Sequence, residues 1–536
     1  MSSTVEVLAD AFKEMGTPFI VGHPGGESVE LMDAARERGM RFILMKQEVA
    51  GAMLAATWGE ITGSPGVCLS TRGPGAANMV NGVAHAMLDR APLIAITDRY
   101  SNAPQEIGLR QKIDHKALYT PIVKWSTTID ADAVRQQIRK AIRVATSPPP
   151  GAIHFDLPQD QTTREAKELP VAPPLLPNQL VTQPSLASLG GATDLLSGSS
   201  KPVVLVGLGA YWDEAHDEVK RFAEMLGAPV LTTSKCKGIL SEDHSLRAGC
   251  VIGGTIERDL INQADLIITI GLDPIELQPK PWPYPTTVLA ISNTPDADAL
   301  VAQTLEVVGN IKSTLSVLID SQSGQGDWGY QPAQSFREQV REALNVKSQG
   351  LSPQRAMEVV RAIAPRSTVA TCDAGASRLL VVQKWESYGP REFLTSNGLG
   401  SMGFAIPGAL AAKLAYPDRP VFAFTGDGGF LMAVAELQTS VQENLPITII
   451  VLDDEELGLI RIKQELKEVQ KYGISLGGID WEKLAQGFGA NGIVVSTEAQ
   501  LQSAVTQAIG ATKTTLIAVK IDGSGYVDQF NALREL

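Results

Sequence analysis

Two apolar runs that each end in acid constrain this chain more than any other feature. Pro420 to Thr425 stops at Gly426-Asp427-Gly428-Gly429-Phe430, and Ile447 to Leu452 stops at Asp453-Asp454, so that Asp454 follows Asp427 by 454 − 427 = 27 positions. A strand that breaks at glycines and passes straight into a helical stretch presents backbone N–H groups and a helix N-terminus, which together attract an anion. An aspartate in such a turn repels phosphate unless a hard divalent cation bridges the two, and magnesium suits carboxylate, carbonyl and phosphate oxygens. The second run has the continuous apolar character of a strand buried in a parallel sheet, and it delivers Asp453-Asp454 to the same sheet edge. A bare Gly-Asp-Gly is an ordinary strand-to-helix turn. The spacing and the paired strands shift the reading to a metal-bridged phosphate site.

Apolar strand-like runs alternate with amphipathic helical ones along the whole chain, the pattern of doubly wound α/β layers with parallel sheets. At 536 residues the chain exceeds one core and suggests about three domains. Two breaks interrupt the alternation. Glu168 to Ser185 carries Pro170, Pro173, Pro174, Pro177 and Pro184, and Ser321 to Ser335 contains Ser321-Gln322-Ser323-Gly324-Gln325-Gly326. The expected domains are therefore 1–167, 186–320 and 336–536. With 46 basic against 59 acidic residues the net charge is −13, which argues against a nucleic-acid partner. The four cysteines, Cys68, Cys236, Cys250 and Cys372, form no C-x-x-C pair and read as buried small hydrophobes in a reducing compartment. Met1 to Met15 lacks a signal-peptide core and no apolar run is long enough to cross a bilayer, so the expectation is a soluble cytoplasmic protein without a membrane partner.

Near the N-terminus a strand, Pro18 to Val21, leads into Gly22-His23-Pro24-Gly25-Gly26-Glu27. A second apolar run ends in Lys46-Gln47-Glu48 just as a helix begins, placing a carboxylate at a strand end that faces a crevice. A third leads into Arg72-Gly73-Pro74-Gly75-Ala76-Ala77-Asn78, a turn whose glycines admit close backbone approach to a ligand. Alone, Glu48 is equally a helix-start carboxylate favoured by the dipole.

Taken together and in this order, these motifs resemble the thiamine diphosphate-dependent enzymes, the family of acetolactate synthase, pyruvate oxidase and benzoylformate decarboxylase. The likeness covers essentially the whole chain as pyrimidine-binding, central and diphosphate-binding domains. It is closest to the acetolactate synthase large subunits, through His23-Pro24-Gly25-Gly26, Lys46-Gln47-Glu48, Gly73-Pro74-Gly75 with Asn78, Gln111 with Asp114 and Lys124, and Gly398-Leu399-Gly400-Ser401-Met402-Gly403-Phe404. The resemblance implies thiamine diphosphate and Mg2+ as cofactors. Glu48 would face the pyrimidine N1′, Met402 would be the apolar strut that keeps the cofactor bent, and the Gly400 carbonyl would lie near the 4′-amino group. Asp427, Asp454 and the Glu456 carbonyl would hold the metal. Asn78, Gly375, Ser377, Gly426, Gly428 and Gly429 join the cofactor contacts, and Gly26, Glu27 and Gln111 join Glu48 on the catalytic side. Each role fits the chemistry, because the cofactor supplies the electron sink and the protein must orient it. Met402 as a gap-filling core methionine is the plainer reading of that residue type; its glycine neighbours favour the strut.

The chain also departs from the family. Asp454 stands where asparagine is common, so the extra charge requires compensation, and Ser377 stands where histidine or asparagine is usual. Decarboxylases of the family that release free aldehydes often use two adjacent histidines; none of the six here are adjacent, and Leu459-Ile460 fill the region after the metal loop. Poor proton supply favours transfer of the carbon nucleophile formed from a 2-oxo acid or related carbonyl to a second carbonyl, an acetolactate synthase-like carboligation, over non-oxidative decarboxylation or another C–C bond lyase reaction. A catalytically idle cofactor-binding subunit is the remaining alternative. Glu27 replaces a small residue of that branch and reads either as a buried acid or base or as a solvated helix-start carboxylate. His23 and His85 are substrate contacts or satisfied structural histidines, and Arg461 and Lys463 meet a substrate carboxylate or lie on a solvated face. In the central segment Gly207-Leu208-Gly209 lacks a third glycine and Leu272-Asp273-Pro274-Ile275-Glu276-Leu277 replaces the branch's flavin-associated signature, so FAD is not expected. The resemblance further implies a cofactor held between two chains, hence at least a homodimer, with a homotetramer as the expected assembly and a small-molecule carbonyl as substrate.

Overall fold

Runs of β-branched and aliphatic residues become parallel strands, and the stretches between them become helices, amphipathic ones such as Val134–Thr146 and His216–Leu226 burying one face and Gly/Ala-rich ones such as Glu48–Thr62 burying most of their surface. The computed structural model describes residues 2–101, 107, 109–167, 182–296, 300–321 and 326–533. Among them lie three six-stranded sheets, parallel throughout. The first contains β1 (Phe19–His23), β2 (Arg41–Leu44), β3 (Gly66–Ser70), β4 (Leu93–Arg99), β5 (Trp125–Thr128) and β6 (Ala152–Pro158), in the order β2-β1-β3-β4-β6-β5. The second contains β7 (Pro202–Val206), β8 (Val230–Thr232), β9 (Arg247–Cys250), β10 (Leu266–Ile270), β11 (Val288–Ser292) and β12 (Leu305–Val308), ordered β12-β11-β10-β7-β8-β9. The third contains β13 (Val369–Cys372), β14 (Phe393–Thr395), β15 (Val421–Gly426), β16 (Thr448–Asp453), β17 (Asn491–Val495) and β18 (Thr515–Lys520), ordered β14-β13-β15-β16-β18-β17. The first and third sheets therefore share one winding, while the central sheet has the order of dinucleotide-binding folds.

This topology decides where a ligand can sit. In an open parallel sheet the crevice lies outside the carboxyl ends of the strands where the order reverses. That point falls between β1 and β3 in the first sheet and between β13 and β15 in the third, so the turns after these strands are the ones that matter.

The fold class matches the sequence expectation of three doubly wound α/β units. The proline-rich break falls mostly outside the described residues. A helix, Tyr330–Leu344, begins inside the second break; Ala333, Phe336, Val340 and Leu344 repeat at helical spacing and are buried, and this overrides the polar composition of the stretch. All four cysteines are buried and unpaired. No described helix is long and apolar enough to cross a membrane.

The first and third sheets share a core on one face of each. The helices Glu48–Thr62 and Ala405–Ala415 bury nearly every residue, and together with Met79, Val83 and Phe430 they belong to one apolar cluster spanning both domains. Such helices lack an amphipathic stripe because they have no solvent face. Small residues set their spacing. A Cβ at Gly82, in the helix Pro74–Leu88, would lie 2.5 Å from the Val49 carbonyl oxygen and 2.6 Å from the Ala52 Cβ. Gly82→Ala should therefore overpack this contact and cost about 1–3 kcal/mol, seen as a lower urea midpoint. A midpoint equal to that of the parent protein would show that the helices have slack.

Candidate active site

β15 and β16 end side by side, with Gly426 in register with Leu452, and this pairing brings the two acidic turns together. Asp427 opens the helix Asp427–Ala433 and is 3% exposed. Its Oδ1 accepts from the Gly428 N–H at 2.8 Å, whereas its Oδ2 is buried without a hydrogen-bond partner. Burial, and then the charge of Asp454, push the Asp427 carboxyl up to about 7. Burial likewise raises Asp454 to about 6, opposed by the Arg461 guanidinium. Two desolvated carboxylates with an orphaned oxygen fit a divalent cation. Among the described residues no group of three or more His, Cys, Asp and Glu side chains forms a complete cage. A cation here would thus take two carboxylates, a backbone carbonyl and phosphate oxygens, as suits magnesium.

The surroundings explain the glycines. Cβ atoms at Gly375 and Gly400 would meet nothing within 4 Å, and one at Gly426 only the Leu452 carbonyl at 3.9 Å, so all three border open space. Gly375 and Gly400 have φ of +149° and +65°, which side-chain-bearing residues resist. A Cβ at Gly429 would sit 2.4 Å from Asp373 Oδ2, and one at Gly428 would be 3.4 Å from the Met402 methyl, which places Met402 against the Asp427 turn. Ser377 is buried in the first turn of the helix Ala376–Lys384.

The roles of several residues here escaped the sequence reading. Asp373, at the end of β13, accepts from Phe404 N at 2.7 Å, Ala405 N at 3.3 Å and Thr425 Oγ1 at 2.8 Å, tying both strand ends to the segment after Met402. Burial raises it to about 6 against the Thr425 and Phe404 hydrogen bonds. Asp453 is engaged with Trp481 Nε1 at 2.6 Å and Lys520 Nζ at 2.7 Å, which leaves Asp454 to face Asp427. Arg461 is neither solvated nor free for a substrate carboxylate. It is buried and pairs with Glu456 at 3.1 Å and Glu465 at 3.0 Å, and it donates to the Gly523 carbonyl at 2.7 Å. It supplies the compensation that the extra charge of Asp454 demands, while Lys463 is exposed.

The first domain carries the remaining candidate residues. Glu48 begins the helix Glu48–Thr62, and Asn78 Nδ2 donates to its Oε2 and to Gln47 Oε1. The Lys46 and Gln47 N–H groups are held by Glu436 Oε1 at 3.2 and 3.0 Å, which ties this turn to the third domain. Glu27 is a helix-start carboxylate, as one of the two sequence readings has it, but half-buried and paired instead of solvated: it forms an ion pair with Arg72 at 2.5 Å, and the Arg72 guanidinium stacks 3.7 Å from the Tyr100 ring centroid. Neighbouring Asp98 accepts from Ser28 Oγ at 2.6 Å, and burial raises it to about 7 against that hydrogen bond. Gly26 is exposed, and Gln111 lies in an exposed turn with φ +56°, its carbonyl oxygen 2.8 Å from where a Gly73 Cβ would be. His23 is exposed and its Nδ1 donates to the Met45 carbonyl at 3.0 Å. His85 is fully buried beside Ser396 and Asp89 and does not face a crevice.

In the central domain the Leu208 N–H of the glycine turn after β7 is already satisfied by a side chain, while Leu208 and Gly209 also line an open cavity. Glu276 Oε2 accepts from Leu208 N at 2.8 Å, its Oε1 accepts from Thr233 Oγ1 at 2.5 Å, and a Cβ at Gly207 would lie 2.6 Å from Oε2. Burial raises Glu276 to about 7 against these bonds. The helix that follows, Gly209–Trp212, is a single turn and offers little dipole to a phosphate.

Three family models match the chain in order: "Thiamine pyrophosphate enzyme, N-terminal TPP binding domain" over residues 2–118, the central domain over 189–318, and the C-terminal TPP binding domain over 373–519. Thiamine pyrophosphate is thiamine diphosphate under its other name. The chain is 30% identical to the probable acetolactate synthase large subunit of Methanocaldococcus jannaschii, over 96% of this chain and 91% of that protein. It is 29% identical to the acetolactate synthase of Bacillus subtilis, over 98% and 94%. With the acetolactate synthase isozyme 3 large subunit of Escherichia coli it shares 28% identity over 98% and 96%. These matches agree with the three doubly wound units: the chain belongs to the thiamine pyrophosphate enzyme family and is a thiamine diphosphate-dependent enzyme similar to the acetolactate synthases.

Proposed function

We propose that this enzyme is a Mg2+-requiring carboligase that takes a 2-oxo acid, forms a carbon nucleophile from it and transfers that carbon to a second carbonyl. The observation that carries this reading is the orphaned, buried Oδ2 of Asp427 opposite Asp454, a pair whose charge calls for a cation and, through it, a diphosphate. Bound thiamine diphosphate supplies the electron sink that makes a carbonyl carbon nucleophilic. In this reading Asp427, Asp454 and the Glu456 carbonyl hold the metal, Gly375 and Gly426 leave room for the diphosphate side, and Gly400 leaves room for the pyrimidine side. Glu48, oriented by Asn78, holds a proton at the pyrimidine N1′. Met402 excludes water and supports the bend.

Proton supply favours carboligation over aldehyde release. Of the six histidines, His85, His115 and His154 are buried, and His216 and His244 lie in the central domain. Only His23 stands exposed at the carboxyl edge of the first sheet. Beyond the metal turn, Ile460 is 43% exposed and Arg461 is locked in ion pairs. Among the described residues there, the carboxylates of Glu456 and Glu465 are engaged by Arg461, which disfavours prompt protonation of the nucleophile. The cofactor would be shared between two protomers, a homodimer at minimum. A non-oxidative decarboxylase and an idle cofactor-binding subunit are the competing outcomes of the tests.

Incubation with pyruvate, thiamine diphosphate and Mg2+ should give a C–C-joined hydroxy acid as the main product; acetaldehyde alone would refute carboligation. Glu48→Gln should retain the cofactor and lose turnover by about 100-fold or more, whereas Asp427→Ala should lose metal and cofactor together. Full activity in Glu48→Gln would remove Glu48 from its role. Because Glu276 takes the backbone donor that the turn after β7 would offer a phosphate, we further infer that the central domain holds no flavin. The purified enzyme should show no flavin absorption, and a yellow preparation that releases FAD on denaturation would overturn this.

A further inference from the structure

The segment that carries Gly400 and Met402 is held by a buried polar hub outside the site. Asp89, immediately after the helix Pro74–Leu88, directs one carboxylate at five donors. Its Oδ1 accepts from Asn397 N at 2.7 Å, Gly398 N at 3.2 Å and Lys235 Nζ at 3.2 Å. Its Oδ2 accepts from His85 Nδ1 at 2.9 Å and Ser396 Oγ at 3.3 Å. Ser396 Oγ in turn accepts from Ser401 N at 3.1 Å, and Ser401 Oγ donates to Asn81 Oδ1 at 2.9 Å. Lys235 comes from the central domain and also reaches Glu60 at 2.9 Å and the Thr395 carbonyl at 3.3 Å, so all three domains meet here. A Cβ at Gly398 would lie 2.1 Å from the Leu88 carbonyl oxygen, which shows how closely the segment is pressed onto the helix end.

The side chains of Lys235, Glu60, Asp89 and His85 are each no more than 5% exposed. Burial opposes charge on Asp89, yet Lys235 and His85 hold its carboxyl far below the usual range; Glu60 and Asp89 likewise keep Lys235 charged against burial. Burying ionic groups is an inefficient way to gain stability, since apolar packing of the same volume does as well or better. Directional donors fix a backbone in one place, which apolar contact does not.

We propose that Asp89, clamped by Lys235 and His85, is a positioning residue that sets the Ser396–Met402 segment and thereby aims Met402 and the Gly400 carbonyl at the cofactor. What the segment aims at rests on the coenzyme reading above; that Asp89 holds it does not. Hydrogen–deuterium exchange of the cofactor-free protein tests the hold. In Asp89→Asn the amides of 396–402 should exchange on the order of tenfold faster than in the parent protein while the rest of the third sheet stays protected. Unchanged exchange of that segment would overturn the proposal. Should Asp89→Asn fail to fold, Ser396→Ala removes only the bridging hydroxyl and should free the Ser401 amide in the same assay, with an unchanged amide again overturning it. Titration with thiamine diphosphate and Mg2+ tests the aim. Asp89→Asn should bind the coenzyme on the order of tenfold more weakly and alter its near-ultraviolet circular dichroism. Parent-like affinity and spectrum would refute the positioning role, whereas a parent protein that binds no thiamine diphosphate would instead sink the coenzyme reading and leave the exchange result standing.

Discussion

The repulsion between two desolvated carboxylates at the ends of β15 and β16 is the constraint around which the third domain is arranged. Parallel pairing forces Asp427 and Asp454 together, and burial prevents water from screening them. Unfilled, the pair favours protonation. Filled by a divalent ion, the same geometry provides binding energy for anything the ion can bridge. Glycines nearby are small for the same reason: Gly428 and Gly429 must pass Met402 and Asp373 at contact distance, while Gly375, Gly400 and Gly426 keep the approach open. Arg461 tempers the excess charge from behind without entering the site, because its guanidinium is consumed by Glu456, Glu465 and Gly523.

Positioning of the two half-sites follows from the shared core. Helices made of alanine and glycine approach so closely that the first and third domains cannot slide independently. Glu436 of the third domain gripping the Lys46 and Gln47 amides, and Asp89 of the first gripping Asn397 and Gly398, are reciprocal contacts across that core. Each domain therefore fixes the chain direction at a ligand-facing turn of the other.

What was legible in the sequence was what is local. The apolar runs, the glycine turns, the carboxylate at the start of Glu48–Thr62 and the 27-residue spacing of Asp427 and Asp454 (454 − 427) are all patterns within one or two elements. The helix Tyr330–Leu344 was obscured by polar residues that its buried spacing overrides. The partners of Glu27, Arg461 and Asp373 were not legible, because each bond depends on which strands become neighbours. Glu27 meets Arg72 only because β1 pairs with β3, and Asp373 meets Thr425 only because β13 pairs with β15. A lone acidic residue at a strand end carries no sign of whether it will be paired, capped or left to bind a metal.

The central domain shows the same ambiguity from the other side. Its strand order and its glycine-ended β7 are those of a nucleotide-binding sheet, and topology alone would place a phosphate at that turn. The backbone donor there is instead satisfied by Glu276, a carboxylate of the same chain, and the donor of Thr233 closes the arrangement. The following strand, β8, leads to Lys235, which reaches outward to Glu60, Asp89 and Thr395. Residues at the carboxyl edge of this sheet thus face inward and sideways, holding the domain together and the other two domains in place. A sheet order inherited by a fold sets where groups converge; the groups themselves determine whether that convergence is a binding site or a joint.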